Sequence, residues 1–110
     1  MIEIEKIKEE IIERLKPLNP DMIILFGSYA NGKPTEESDI DLYVVTGDNF
    51  MPSNFKEKME IKLKFARAID QIRDRYPVDL IVHTRPMSEI FVRLDSMFSR
   101  EILTNGERLI

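Results

Sequence analysis

The sequence predicts an α/β (α+β) domain, with a small mixed β-sheet flanked by helices. Three observations point there. The short apolar runs "MIILF" (22–26), "DIDLYVV" (39–45) and "VDLIV" (78–82) are rich in β-formers and bounded by Gly, Pro or charged residues, as strands are. Two longer segments carry apolar residues three and four apart, as amphipathic helices do. These elements interleave in the order helix, strand, strand, helix, strand, helix, so the helices must pack on a shared sheet.

The first helix is predicted over residues 2–16, where Ile4, Ile7, Ile11, Leu15 and Leu18 form one apolar line among Glu and Lys. Pro17 and Pro20 end it. After the strand at 22–26, Gly27 and Ser28 punctuate the chain. Ser28 is expected to cap a short helical turn through Ala30, which Gly32 stops. Residues 33–38 read as loop. Ser53 is the predicted cap of a long helix reaching about Tyr76, with Phe55, Met59, Leu63, Ala66, Ile69, Ile72 and Tyr76 as its apolar line and Pro77 as its breaker. Past the third strand, Ser88 is expected to cap a last helical segment containing Phe91, Leu94 and Phe98. A turn at Asn105–Gly106 leads to a terminal extended piece.

The 110 residues suit one compact domain, read as 1–110, and 43% apolar residues are enough for its core. No apolar run approaches the roughly 20 residues of a membrane helix, and the charged start is no signal peptide. The chain has no cysteine, which excludes disulfides and thiolate zinc and fits a cytoplasmic location. A net charge of −4 argues against a general nucleic-acid binder. The one histidine, His83, excludes histidine-rich metal sites and is expected at the surface just past a strand.

The second strand carries the chemical signal. Alternation puts Ile40, Leu42 and Val44 on one face and Asp39, Asp41, Tyr43 and Val45 on the other. Asp39 and Asp41 then stand roughly 6.7 Å apart, and two buried anions on one face need a compensating cation. Magnesium is the simplest choice, because it takes carboxylate oxygens and bridges protein to phosphates. Asp79, second in "VDLIV", is a third carboxylate at the start of a strand. Gly27 allows close backbone approach, and Ser28 offers a hydroxyl together with outward amides. Taken singly, each feature has an ordinary reading as a turn or cap. Lys56, Lys58, Lys62, Lys64 and Arg67 read as a solvated helix face rather than a phosphate patch, since Glu57 and Glu60 interleave with them.

Gly27-Ser28, Ala30, Gly32 and the Asp-x-Asp of "SDIDLYVV" together resemble the nucleotidyltransferases of the DNA polymerase β superfamily, in their minimal, MNT-type antitoxin branch. The resemblance implies a polymerase β-like core in which Asp39, Asp41 and Asp79 are catalytic and hold two Mg2+ ions. It implies that Gly27, Ser28, Lys33 and Ser38 bind the nucleotide, with ATP as substrate. Asn31 stands where the family often has arginine, and Lys33 is the candidate to replace that cation. It also implies AMP transfer to a hydroxyl, a tyrosine of a HEPN-type toxin encoded nearby. Two alternatives remain: a non-catalytic module that sequesters such a protein, and a transferase with a small-molecule acceptor. Phe91, Val92, Leu94, Met97 and Phe98 are expected mostly to cover the sheet, with some left over as a docking face.

Overall fold

The computed structural model describes residues 3–110. Helix α1 (Ile4–Leu15) is followed by a 3-10 turn over Lys16–Leu18. Strand β1 (Met22–Phe26) leads into the one-turn helix α2 (Ser28–Asn31). Strand β2 (Ile40–Val45) precedes α3 (Phe55–Ala68) and the short α4 (Asp70–Arg73). Strand β3 (Val78–His83), α5 (Arg85–Leu94), α6 (Met97–Arg100), a π-type turn over Glu101–Asn105 and β4 (Glu107–Arg108) complete the chain. The sheet order is β3-β2-β1-β4, and only the β2–β3 pair is parallel. The expected small mixed sheet with flanking helices is what forms. Among the described residues no helix is long and apolar enough to cross a membrane.

The strands divide the core in two. On one face Ile23, Leu25, Ile40, Leu42, Val44, Leu80 and Val82 pack against Ile7, Ile11 and Leu15 of α1 and Phe65, Ala66, Ile69 and Ile72 of the α3–α4 segment. On the other, Ile24, Phe26, Tyr43 and Val45 pack with Ile102, and Ile81 and Phe91 lie against them. β1 reads as an unbroken apolar run because both its faces are covered.

Several boundaries differ from the sequence reading. The first helix begins at Ile4, and Ile2, expected in it, lies outside the described residues. Gly27, not Ser28, occupies the cap position of α2, since its φ of 75° and ψ of −153° suit only glycine. Gly32 ends that turn with φ 73°, as expected. Asn54 rather than Ser53 caps α3, its Oδ1 accepting the Glu57 N–H at 2.9 Å. The Ser53 N–H donates to the Glu57 carboxylate instead. The long helix breaks at Ile69, whose φ of −110° and ψ of 23° are not helical.

The expected apolar line of α3 is only half right. Phe55, at the start of the helix, is 75% exposed, and Leu63 is 39% exposed because the buried stripe runs through its neighbours Ile61 and Phe65 instead. The last helical segment starts at Arg85 behind Thr84, with Pro86 in its first turn. Ser88 lies inside this helix rather than capping it.

Candidate active site

Strand direction brings the singled-out residues together. β1 runs antiparallel to β2, and β3 runs parallel to it. The C-terminal end of β1 therefore meets the N-terminal ends of β2 and β3. Gly27-Ser28 follows the first, Asp39 immediately precedes the second with Asp41 as its second residue, and Asp79 is the second residue of the third. Asp41 is the register partner of Phe26 on one side and of Asp79 on the other. Directly opposed residues in a ladder point to the same face, so Asp41 and Asp79 share one. It is the face away from α1 and α3. Asp39 and Asp79 are exposed there, and Asp41 is half-buried.

That burial raises the Asp41 carboxyl to a pKa of about 6, with the charges of Asp79 and Asp39 adding to the effect. Gly27 lies against the same carboxylate. A Cβ at position 27 would overlap Asp41 Oδ2, so only glycine lets the turn pass this close. Among the described residues no three acidic or histidine side chains close into a ready-made ligand set. The donor chemistry still fits a divalent cation, because a half-buried carboxylate crowded by two others is what such an ion stabilises.

The remaining expected residues surround this corner. Ser28 is half-buried in the first turn of α2, where Ala30 and Asn31 donate their N–H groups to the Gly27 carbonyl. The amides of Ser28 and Tyr29 precede those first helical bonds, so the turn does not use them. Lys33 is exposed, and its N–H donates to the Ser28 carbonyl. The Ser38 hydroxyl is engaged within its own loop and accepts the Thr35 N–H at 2.8 Å. It shapes the approach to Asp39 from there.

A second polar group, not found from the sequence, lies farther along the same face. The Tyr43 hydroxyl shares a hydrogen bond of 2.9 Å with His83 Nδ1 and donates to Ser88 Oγ at 3.0 Å. His83 is thus the half-buried last residue of β3, not a surface residue. Burial, and then the charge of Lys58, lower its pKa. Parity held the clue, since Asp79, Ile81 and His83 alternate onto one face just as Asp41 and Tyr43 do.

An aromatic chain connects the two regions. Phe98 meets Phe26 edge-on at 5.8 Å, Phe91 lies 6.1 Å from Phe98, and Phe91 lies 5.2 Å from Tyr43 and 5.1 Å from His83. Met51, Met87, Ile90 and Leu94 join His83 and Phe91 around an apolar cleft of about 260 Å³. Beyond it Leu94 is 73% exposed, Met97 89%, Phe98 48% and Val92 45%. Of the five C-terminal apolar residues, only Phe91 mainly covers the sheet. Val92, Leu94 and Met97 are exposed, and Phe98 is half exposed while its ring meets Phe26, so more of the five is left uncovered than expected.

A mixed sheet that opens paired aspartates beside a glycine–serine turn defines a nucleotidyltransferase domain. The family model for the polymerase β nucleotidyltransferases matches residues 5–110, and the chain belongs to that family. A protein of Methanocaldococcus jannaschii, provisionally named a protein adenylyltransferase, is 45% identical over 58 residues. The match covers 48% of this chain and 57% of that protein, so it spans little more than half the relative's length. Two solved structures share the fold. One, a toxin–antitoxin with AMP-PNP, has a TM-score of 0.57 at 27% identity. The other, a mutant of the MntA–HpeT toxin–antitoxin, has a TM-score of 0.56 at 25% identity. Each match covers 94% of this chain and 72% of the other.

Proposed function

We propose that residues 1–110 act as a single minimal nucleotidyltransferase domain that moves AMP from ATP to a tyrosine hydroxyl of a HEPN-type toxin, and so serves as its antitoxin. The observation that carries this reading is the register pairing of Asp41 with Asp79 at the sheet end where Gly27 admits the Asp41 carboxylate. Family membership and the toxin–antitoxin neighbours support it.

Asp39, Asp41 and Asp79 are the residues that would hold magnesium, as two ions. Magnesium bound there supplies positive charge for the triphosphate and for the acceptor oxygen. Asp79 takes the acceptor's proton. The acceptor oxygen bonds to the α-phosphorus while the bond from that phosphorus to the bridging oxygen breaks, and pyrophosphate leaves. The Ser28 hydroxyl and the amides at the start of α2 hold the β- and γ-phosphates. Gly27 lets those phosphates approach the backbone, and Lys33 supplies the cation that Asn31 does not. Ser38 sets the loop that presents Asp39. Most of the rate gain comes from alignment and charge neutralisation.

The protein acceptor docks on the outward apolar residues of α5 and α6. Phe98 joins that surface to Phe26, the register partner of Asp41, so docking there brings an acceptor to the catalytic end. The test is incubation of the purified chain with labelled ATP, magnesium and the product of the adjacent gene. Label on a tyrosine of that protein, lost with Asp41→Asn, is the expected result. A tight complex that carries no label and is indifferent to Asp41→Asn overturns transfer and establishes sequestration.

A further inference from the structure

β3 is one of the two edge strands of the sheet, the other being the two-residue β4, and among the described residues only its inner edge is paired. Ile40 donates its N–H to the Pro77 carbonyl, and Thr46 donates to the His83 carbonyl. The odd-numbered residues of β3 therefore turn their backbone groups toward β2. Alternation turns those of Val78, Leu80 and Val82 outward. Their side chains do not loosen the edge: Leu80 is 5% exposed and Val82 7%, anchored in the core below α3. A rigid strand thus presents unpaired N–H and C=O groups, the usual template for another strand.

The first half of α3 overhangs this edge. A groove of about 260 Å³ separates Phe55, Lys58, Met59 and Lys62 of the helix from residues 80–83 of the strand. The four helix residues follow a spacing of three, one and three, so they form a single stripe. Lys58 and Lys62 enter no ion pair among the described residues. The nearby helix carboxylates, Glu57 and Glu60, line a different hollow with Asp48 and Phe50. A chain of net charge −4 thus places two uncompensated cations and two exposed or half-exposed apolar side chains over the one long strand edge left open among the described residues.

This pattern selects the occupant. A second copy would pair β3 with β3 and bring the lysines of both chains over one junction, where they repel. An extended segment with carboxylates on one face meets both requirements, main-chain pairing and charge. We propose that the β3 edge and the α3 stripe bind an extended acidic segment of another protein by strand addition, its carboxylates on Lys58 and Lys62 and an apolar side chain against Phe55 and Met59. The binding does not depend on the transfer chemistry.

The probe is a random peptide library displayed on phage and selected against the whole chain, followed by measurements on the enriched peptides as synthetic peptides. The expected peptides carry Asp or Glu at alternate positions and slow amide exchange at Leu80 and Val82. Their binding weakens about tenfold in the Lys58→Glu/Lys62→Glu variant, whose melting temperature stays near that of the parent. Raised salt weakens binding to the unaltered chain in the same direction, which keeps the test valid if the double variant folds poorly. Asp41→Asn retains full binding, so failure of the transfer reading leaves this result standing. Three outcomes overturn the proposal. Selection yields no binder, the binders are indifferent to both lysines and salt, or the chain alone dimerises with Leu80 and Val82 already protected.

Discussion

Gly27 and Asp41 are matched by exclusion, since the Asp41 carboxylate occupies the space that any side chain at position 27 would need. The backbone of Gly27 adds a second requirement, with φ 75° and ψ −153° in a region reserved for glycine. Gly27→Ala should therefore destabilise the chain by about 1–3 kcal/mol from backbone strain alone. Its melting temperature should fall by roughly 4 °C or more per kcal/mol for a domain of this size. Removing the clash with Asp41→Gly in the same chain should restore only part of the loss, because the backbone angle remains unfavourable. A double-mutant cycle of thermal melts separates the two. Full recovery would show that the turn carries no strain of its own.

Asp41 sets the direction of the pH response in metal-free protein. Burial, then Asp79 and Asp39, raise its carboxyl to about 6 from an ordinary 3.8. The folded state thus binds the proton more tightly than the unfolded state does. The stability tied to this group is complete below about pH 4 and is lost as pH rises through 6. Asp41→Asn should be more stable than the parent at pH 7 and show little advantage at pH 4. Magnesium should raise the parent's melting temperature at pH 7 and leave the variant nearly unmoved. Destabilisation of the variant at pH 7 would assign Asp41 a structural role.

The strands and the acidic corner are legible in the sequence for one reason. Strand signals are local, and side-chain parity then follows without knowledge of the fold. The predicted strand at Met22–Phe26 matches the observed one to the residue, and composition and parity alone mark Asp39, Asp41 and Asp79. What escaped depends on partners distant in sequence. Phe55 and Leu63 fit a helical apolar line, yet only the packed structure decides that the buried stripe of α3 runs through Ile61 and Phe65 and leaves these two outside it. The caps moved by one to four residues because serine, threonine and asparagine all qualify locally, and tertiary geometry selects among them. The sequence places His83 at the surface because α5, which covers it, becomes its neighbour only once β3 is in place.

His83 should act in the opposite sense to Asp41. Its pKa is lowered, first by burial and then by Lys58, so folding favours the neutral ring. The stability tied to it is present above the unfolded value of about 6.5 and is lost as pH falls through the lower folded value. His83→Gln keeps a polar partner for the Tyr43 hydroxyl and removes the titration. Its melting temperature should decline less than the parent's between pH 6.5 and 5. Built on Asp41→Asn, the comparison isolates this group from the competing carboxylate. Identical slopes in that pair would show that the ring binds its proton equally in the folded and unfolded states, so that folding does not lower its pKa.

Leu94 and Met97 separate docking from folding. Both are exposed, at 73% and 89%, whereas Phe91 beside them packs against Tyr43 and His83. Leu94→Asp and Met97→Asp should change stability by no more than about 0.5 kcal/mol, the usual range for surface sites. If α5 and α6 carry the protein acceptor, the pair should abolish co-elution with the adjacent gene's product and the labelling of it. Asp39, Asp41 and Asp79 are untouched in these variants, so if those residues hold magnesium, the ion should raise the melting temperature of variants and parent alike. Phe91→Asp serves as the contrast. It buries a charge among three aromatic rings and should lower the melting temperature of the chain by itself. Undiminished co-elution by the Leu94→Asp/Met97→Asp chain would move the docking surface off α5 and α6.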